Sequence, residues 1–257
     1  MTPGKKALIT GGSSPLAIEL GSKLFEMGYS VCLTSRSLKY LHQAKKLFPC
    51  SVFAADVATA SGKEIVLSWI AKEAPDLLIN SAGLGFYGDT TDLESADIIE
   101  MCEVNIIALT LFSKAAAEAM MHVQKEGIIL NISSATDKII YPTFAVYAAS
   151  KSFVTSFSLA FAQEVQPFDI TVLVASPGQI QTRFQQRASK GCYTQQHGLT
   201  AQKAAHEILN MIEKKQHYRV FPFKIKVLRK LFNLLLPKKI LFYLLKNSLK
   251  KRINNKS

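Results

Sequence analysis

The chain has 257 residues, 48% of them hydrophobic and 19% charged, which is typical of a globular α/β protein and excludes a disordered or collagen-like chain. The four cysteines (Cys32, Cys50, Cys102 and Cys192) form no CxxC pair, which excludes a zinc ribbon or a small disulfide scaffold and indicates reduced thiols. The five histidines show no metal-ligand spacing, so no metal site is expected.

The net charge of +12 is concentrated at the C-terminus. Residues 224–257 contain 11 lysines and arginines and no acid, whereas residues 1–223 contain 20 basic and 19 acidic residues. The basic character therefore belongs to a tail and gives the body no nucleic-acid signature. No signal peptide and no run of about 18 apolar residues is found, so a cytoplasmic protein is predicted.

Short apolar runs alternate with helical patterns along the body. Strands are predicted at 6–10, 31–35, 51–55, 77–80, 128–133, 170–175 and 218–221. Helices are predicted at 17–27, 38–47, 64–72, about 95–122, 146–165 and about 200–215, with a loop at 183–199. This alternation predicts a doubly wound, Rossmann-type parallel sheet of about seven strands with helices on both faces.

The chain is divided into a Rossmann-type domain, 1–223, and a basic tail, 224–257. In the tail, apolar residues at helical spacing predict two short amphipathic segments separated by Pro237. Such segments suit the surface of an anionic bilayer, and peripheral membrane contact is one interpretation. The alternatives are that the tail packs on a partner subunit or closes over the active site.

A glycine turn, Thr10-Gly11-Gly12-Ser13-Ser14, separates the first strand from the first helix. Unpaired backbone N–H groups and the helix dipole make such a turn an anion site. The second strand ends in Ser35-Arg36-Ser37, without the acid that would bind the ribose 2′-hydroxyl of NAD. Arg36 instead suits a 2′-phosphate, so NADP(H) is predicted to be preferred over NAD(H).

Further motifs follow in order: Asp56-Val57, Asn80-Ser81-Ala82-Gly83 and Pro177-Gly178-Gln179-Ile180-Gln181-Thr182. With the glycine turn they resemble the short-chain dehydrogenase/reductase family over about residues 5–183. The chain is most similar to the branch with bacterial reductases of uncertain substrate and lipid or hydroxysteroid dehydrogenases. This resemblance implies a cofactor site made of Thr10, Gly11, Ser13, Ser14, Leu16, Arg36, Asp56, Val57, Asn80, Ala82, Gly83, Pro177, Gly178, Ile180 and Thr182.

The glycine turn departs from the family pattern at two positions. Pro15 stands where the family has its second glycine, and Ala17 where it has its third. Proline has no N–H to donate, but the first position of a helix tolerates it. A formed turn with weakened or rearranged pyrophosphate contacts is therefore expected.

The catalytic candidates centre on Tyr147-Ala-Ala-Ser-Lys151, because residues four apart on a helix share a face. A neighbouring lysine cation is expected to lower the pKa of the phenol and prepare it to exchange a proton near neutral pH. The family resemblance implies that Ser134, thirteen residues before Tyr147, binds the substrate carbonyl. It also implies that Asn105 holds a water that links Lys151 to solvent.

Aromatic residues flank the predicted site in three segments, and they are either a substrate wall or ordinary core packing. They are Phe86, Tyr87, Tyr141, Phe144 and Phe184. As a substrate wall they favour a bulky, apolar ketone over a sugar.

These patterns predict an NADP(H)-dependent carbonyl reductase or alcohol dehydrogenase that acts on an apolar, lipid-like ketone, such as a 3-oxoacyl compound. One alternative is a catalytically weak or inactive NADP-sensing binding protein, for which Pro15 is the only support. A nucleic-acid binder is less favoured, since no base-reading motif is present. The family resemblance implies a homo-oligomer, either dimer or tetramer.

Overall fold

Seven parallel strands form one sheet in the computed structural model, which describes residues 4–191, 198–227, 243 and 247. The strands are β1 (Lys6–Thr10), β2 (Ser30–Ser35), β3 (Ser51–Ala54), β4 (Leu77–Asn80), β5 (Gly127–Ile132), β6 (Ile170–Pro177) and β7 (Tyr218–Phe221). Their spatial order is β3-β2-β1-β4-β5-β6-β7. The predicted doubly wound sheet is confirmed.

The reversal of strand order between β1 and β4 determines where a ligand can bind. β1 pairs with β2 from Lys6↔Ser30 to Thr10↔Thr34, and with β4 from Ala7↔Leu77 to Ile9↔Ile79. The chain continues from β1 to β2 on one side and from β4 to β5 on the other, so these two connections run toward opposite edges of the sheet. This arrangement opens a crevice beyond the carboxyl ends of the strands, the usual ligand site in doubly wound sheets.

Eight α-helices are found in the described part of the chain. They are α1 (Pro15–Glu26), α2 (Leu38–Lys45), α3 (Ala60–Glu73), α4 (Ser95–Cys102), α5 (Leu109–His122), α6 (Ala145–Val165), α7 (Phe184–Ala188) and α8 (Ala201–Glu213). Buried residues of α1, α2 and α8 pack on one face of the sheet, and those of α3, α5 and α6 on the other. Because both faces are covered, the strands are continuous apolar runs, as in Ala7-Leu8-Ile9, which is fully buried.

Two predicted segments differ from the structure. The helix predicted over about 95–122 is interrupted by a π-helical turn, Glu103–Ala108, between α4 and α5. The segment predicted as a loop, 183–199, contains α7, whose first residue, Phe184, packs on an aromatic cluster. Tertiary contacts rather than periodicity stabilise this five-residue helix, and residues 192–197 lie outside the described residues.

The predicted tail lies mostly outside the described residues. Residues 223–227 are helical, and the side chain of Ile225 lies against Gly178, where a Cβ would be 2.2 Å from Ile225 Cδ1. The first residues assigned to the tail therefore contact the body. Within the described ranges, no helix combines the length and apolarity needed to cross a membrane.

The described cysteines carry free thiols: Cys32 is buried, Cys50 and Cys102 are partly buried, and Cys192 lies outside the described residues. Among residues 4–191 and 198–227, no three His, Cys, Asp or Glu side chains are grouped so that they could hold a metal ion.

Candidate active site

A cleft of about 710 Å³ lies at the carboxyl end of the sheet, on both sides of the β1–β4 switch point. This volume is within the range of small-molecule sites. All the residues predicted for the cofactor, catalytic and substrate sites line the cleft except Thr10, Asn80, Asn105 and Phe86. The four exceptions lie behind its wall or beside it.

The glycine turn forms despite Pro15. Gly11 has φ +66°, and a Cβ there would lie 2.9 Å from the backbone of Ala82, so only glycine fits. Ser14 caps α1 by accepting a hydrogen bond from the Ala17 N–H at 3.1 Å. Pro15 is the first residue of α1, where an N–H has no partner within the helix. The expected formed turn is therefore observed.

Thr10 and Asn80 stabilise the floor of the cleft instead of facing it. Thr10 is 1% exposed, and its Oγ1 accepts hydrogen bonds from the N–H groups of Ser81 and Ala82, both at 3.1 Å. Asn80 Nδ2 donates to Asn131 Oδ1 at 2.8 Å. These bonds hold the loop after β4 against β1 and β5, which fixes the position of Ala82 and Gly83 on the cleft wall.

Asn105 lies in the π-helical turn and is fully buried. Its Oδ1 accepts from the Leu84 N–H at 2.9 Å, and its Nδ2 donates to the Leu84 carbonyl at 2.8 Å and to Ser150 Oγ at 3.0 Å. A Cβ on Gly83 would lie 3.6 Å from Asn105 Oδ1 and 3.4 Å from Lys151 Nζ. Asn105 therefore joins the loop after β4 to α6 beside Lys151.

The two serines after β5 point in different directions. Ser133 is 2% exposed, and its hydroxyl bonds the Lys151 carbonyl and Thr155 Oγ1, both at 2.9 Å. Ser134 lines the cleft, interacts with the Tyr147 hydroxyl, and accepts a hydrogen bond from Thr136 Oγ1 at 3.0 Å. Both serines line the cleft, but the Ser133 hydroxyl is engaged in these two buried hydrogen bonds, so Ser134 is the better placed of the two to bind a ligand there.

Tyr147 and Lys151 lie on the same face of α6 and both line the cleft, with Lys151 Nζ 5.8 Å from the Tyr147 ring centroid. Burial raises the pKa of Tyr147 to about 12, although its hydrogen bond with Ser134 acts in the opposite direction. Burial also lowers the pKa of Lys151 to about 8. Lys151 Nζ donates to the Ile132 carbonyl at 3.0 Å.

The structure thus differs from the expectation that Lys151 lowers the pKa of Tyr147. Desolvation disfavours the charged form of both groups, and at Tyr147 it outweighs the hydrogen bond with Ser134, which lowers the pKa. A phenol with this raised pKa is protonated at neutral pH.

Aromatic rings produce this desolvation. Phe144 stacks on Tyr147 with centroids 4.3 Å apart, and Phe184 of α7 lies 5.3 Å from Tyr147. Tyr87 lies 4.4 Å from Phe144, and Tyr141 meets the same ring edge-on. Phe86 is not on the cleft wall and instead lies under Lys190, whose Nζ is 6.0 Å from its ring centroid.

The segment after β6 closes the same end of the cleft. The Pro177 carbonyl accepts from the Ala135 N–H at 2.8 Å, which joins the ends of β5 and β6. Gly178 N–H donates to the Phe221 carbonyl at 2.7 Å. Thr182 Oγ1 accepts from the Phe184 N–H at 3.2 Å, so its hydroxyl helps to begin α7.

At the opposite end, Arg36 follows β2 and its Nη1 donates to Glu100 Oε1 at 2.9 Å. The two side chains are 50% and 32% exposed, so this ion pair contributes only about 0–1 kcal/mol. Asp56 also lines this end, and its Oδ1 accepts from the Ala58 N–H at 3.1 Å.

The structure adds cleft residues that the sequence analysis did not single out, notably Ser35, Tyr40, Arg183, Arg187 and Ile225. Arg183 and Arg187 are four residues apart, a spacing that places two side chains on one face of a helix. The lack of hydrophobic periodicity around them hid this indication of α7. Closure of the tail over the active site was one alternative from the sequence, but Ile225 itself could not be singled out, because its position depends on how residues 223–227 fold back.

Comparison with known proteins agrees with this geometry. A family model described as short chain dehydrogenase matches residues 5–192. A probable short-chain type dehydrogenase/reductase, VdlC, from Helicobacter pylori is 30% identical over 184 residues, 71% of this chain and 67% of the relative. An uncharacterized oxidoreductase, DltE, from Bacillus subtilis is 31% identical over 189 residues, 70% of this chain and 73% of that protein.

Among solved structures, a short-chain dehydrogenase from Sphingobium yanoikuyae in complex with NADPH superposes with a TM-score of 0.77. It is 20% identical to this chain, and the superposition covers 98% of each. The extent of the family match and the identity to curated relatives lead to one conclusion: the chain belongs to the short-chain dehydrogenase family of oxidoreductases.

Proposed function

We propose that the protein is an NADP(H)-dependent carbonyl reductase or alcohol dehydrogenase acting on a bulky, apolar ketone. The observation that carries the proposal is a single cleft with two different ends. Ser134, Tyr147 and Lys151 share one wall, and the glycine turn and Arg36 form the opposite end. A proton donor and an anion site in one cavity are what a nicotinamide-dependent reduction requires.

The residues of the cleft fit a nicotinamide dinucleotide. Gly11 leaves no space for a side chain, and the N-terminus of α1 directs backbone N–H groups toward the turn, where Ser13, Ser14 and Leu16 would hold the pyrophosphate. Asp56 and Arg36 would bind the adenosine, and Pro177, Gly178 and Thr182 the nicotinamide. Pro15 has no N–H to offer, so we expect pyrophosphate contacts rearranged toward its neighbours.

The reduction needs a hydride and a proton. NADPH, when bound, supplies the hydride to the carbonyl carbon. Ser134 would donate a hydrogen bond to the carbonyl oxygen, and Tyr147 would transfer its hydroxyl proton there, so that the C=O group becomes CH–OH. Lys151 would stabilise the phenolate left on Tyr147 and hold the ribose, and Asn105 would support return of the proton.

The pKa of Tyr147, about 12, supports catalysis in the reducing direction. A phenol with that pKa is protonated at neutral pH and can give its proton to a developing alkoxide. Oxidation of an alcohol requires the phenolate as base, which burial disfavours. We therefore propose that ketone reduction is the faster direction at pH 7.

The substrate class follows from the cleft wall. Phe144 and Phe184 contact the Tyr147 ring, and Tyr87 and Tyr141 contact Phe144 in turn. A substrate carbonyl that reaches the Tyr147 hydroxyl would therefore lie among aromatic side chains. Such a wall stabilises an apolar group by removing its surface from water. A lipid-like ketone, such as a 3-oxoacyl compound, fits this wall.

The test is NADPH oxidation over a panel of short-chain, long-chain and aromatic ketones. We expect activity with bulky apolar ketones, a loss of about a hundredfold or more in Tyr147→Phe, and no change in Tyr29→Phe. Tyr29 is the matched control because it packs on the core outside the cleft. Parent-like activity in Tyr147→Phe would refute the role, and NADPH binding without any turnover would indicate a binding protein.

A homo-oligomer that associates through α6 is proposed. Phe153, Phe157 and Phe161 stack along α6, with centroids 5.9 and 5.3 Å apart, and Phe153 is 39% exposed. Phe157 and Phe161 are partly buried, and a row of aromatic rings that ends in an exposed one favours burial against a second copy. Light scattering should give a mass of at least two chains, and Phe153→Glu should lower it. A monomeric parent would contradict the proposal.

Peripheral membrane contact of a cytoplasmic protein is proposed for the tail, residues 224–257, on its charge alone: 11 basic residues and no acid. Sedimentation with anionic vesicles should lose binding when the chain is truncated after Val227. This truncation keeps Ile225, which lines the cleft. Equal sedimentation of both proteins would contradict membrane contact through the tail.

A further inference from the structure

Three guanidinium groups line one end of the cleft. Arg36 follows β2, Arg183 directly precedes α7, and Arg187 lies on α7. The guanidinium carbon of Arg183 lies 5.1 Å from the ring centroid of Tyr40 on α2. The segment after β6 thus reaches across the cleft to the helix that follows β2.

Carboxylates compensate this cluster only in part. Arg36 pairs with Glu100, but neither Arg183 nor Arg187 has an ion pair with any other described residue. Burial, followed by repulsion from Arg36 and Arg183, lowers the pKa of Arg187. Three like charges held together are costly unless an anion joins them, so the cluster favours an anionic ligand.

Two hydroxyl groups beside the cluster are also unpaired within the described part of the chain. Thr34 and Ser35 end β2 and line the cleft, and they are 0% and 9% exposed. Their hydroxyl oxygens make no hydrogen bond with any described residue. Buried hydroxyls are normally bonded, which indicates that this end of the cleft is prepared for a polar ligand.

The position of the cluster at the end of β2 indicates which anion it would bind. In a doubly wound sheet the end of β2 meets the ribose of the adenosine, and the 2′-phosphate of NADP projects from it. Guanidinium groups bind phosphates through paired, charge-assisted hydrogen bonds. We propose that Arg183 and Arg187 join Arg36 in binding the 2′-phosphate, so that the segment around α7 helps to determine cofactor specificity as well as forming the substrate wall. This inference rests on the proposed NADP(H) preference.

The experiment measures binding of two small probes by calorimetry at fixed salt, without turnover. Adenosine 2′,5′-bisphosphate carries the 2′-phosphate, and adenosine 5′-monophosphate lacks it. We expect the full-length parent to bind the bisphosphate at least tenfold more tightly. The double variant Arg183→Ala/Arg187→Ala should lose about ten- to hundredfold in affinity for the bisphosphate, with unchanged affinity for the monophosphate.

Two further variants make the result specific. Lys203→Ala removes one positive charge from the exposed face of α8, outside the cleft, and should bind both probes as the parent does. Arg36→Ala tests the arginine predicted from the sequence. Loss of discrimination in Arg36→Ala but not in the double variant would overturn the role of α7 and leave the NADP(H) preference intact. A parent that binds both probes equally would overturn the preference itself.

Discussion

Replacement of Lys151 by methionine should stabilise the fold while it removes catalysis. Lys151 is 4% exposed, and burial lowers its pKa from 10.5 to about 8. That difference corresponds to about 3 kcal/mol of folding free energy lost at pH 7. Methionine has a similar length and no charge, but it leaves the Ile132 carbonyl without its 3.0 Å hydrogen bond, which costs about 1 kcal/mol. The net gain is therefore about 2 kcal/mol.

The pH dependence of this gain distinguishes the charge from ordinary packing. The unfolded parent binds more protons than the folded parent between pH 8 and 10.5, so the parent gains stability across that interval. The advantage of Lys151→Met, measured by urea unfolding, should be about 2 kcal/mol at pH 7 and close to zero at pH 9.5. The exposed control Lys114→Met should show neither effect. The reasoning would be refuted if Lys151→Met were less stable than the parent at pH 7, or if the difference in free energy of unfolding between the two proteins did not change with pH.

Three other predictions follow from the same contacts. The rate of ketone reduction should fall as the pH rises through about 8, because Lys151 loses the charge that stabilises the phenolate; a constant rate up to pH 9.5 would contradict this. Ser134→Ala should lower kcat about a hundredfold with little effect on the urea midpoint. Ser133→Ala should instead lower the free energy of unfolding by about 1–2 kcal/mol, since it breaks two buried hydrogen bonds. A large loss of kcat in Ser133→Ala together with a loss of stability in Ser134→Ala would contradict these assignments. Gly62→Ala should destabilise the fold by about 2–3 kcal/mol, because its Cβ would lie 2.0 Å from the backbone oxygen of Asp56. In the control Gly4→Ala the nearest backbone oxygen would be 3.6 Å from the Cβ, so equal urea midpoints for the two variants would be inconsistent with this packing.

The sheet could be predicted from the sequence because a parallel strand covered on both faces must be apolar at consecutive positions. Ala7-Leu8-Ile9 and Leu77-Leu78-Ile79 are such runs, and all six residues are fully buried. The long helical patterns between strands then allow only crossover connections. Local composition therefore determined the fold class and the position of the glycine turn.

The properties of the site could not be predicted in the same way, because they depend on residues distant in sequence. Burial raises the pKa of Tyr147, and Phe144 and Phe184 are the rings that contact it; Phe184 comes from a segment without periodicity. The buried carboxamide of Asn105 depends on a π-helical turn that helical spacing alone does not reveal. Arg187 is close to Arg36 only because α7 folds across the cleft.

Hydride transfer to a ketone is the central claim, and isotope transfer tests it most directly. The protein would be incubated with a bulky apolar ketone and NADPH that carries deuterium at the transferable position of its nicotinamide. Mass spectrometry of the product should find one deuterium on the carbinol carbon with the parent and almost none with Tyr147→Phe. Alcohol formed without deuterium, or equal labelled product from both proteins, would contradict the account.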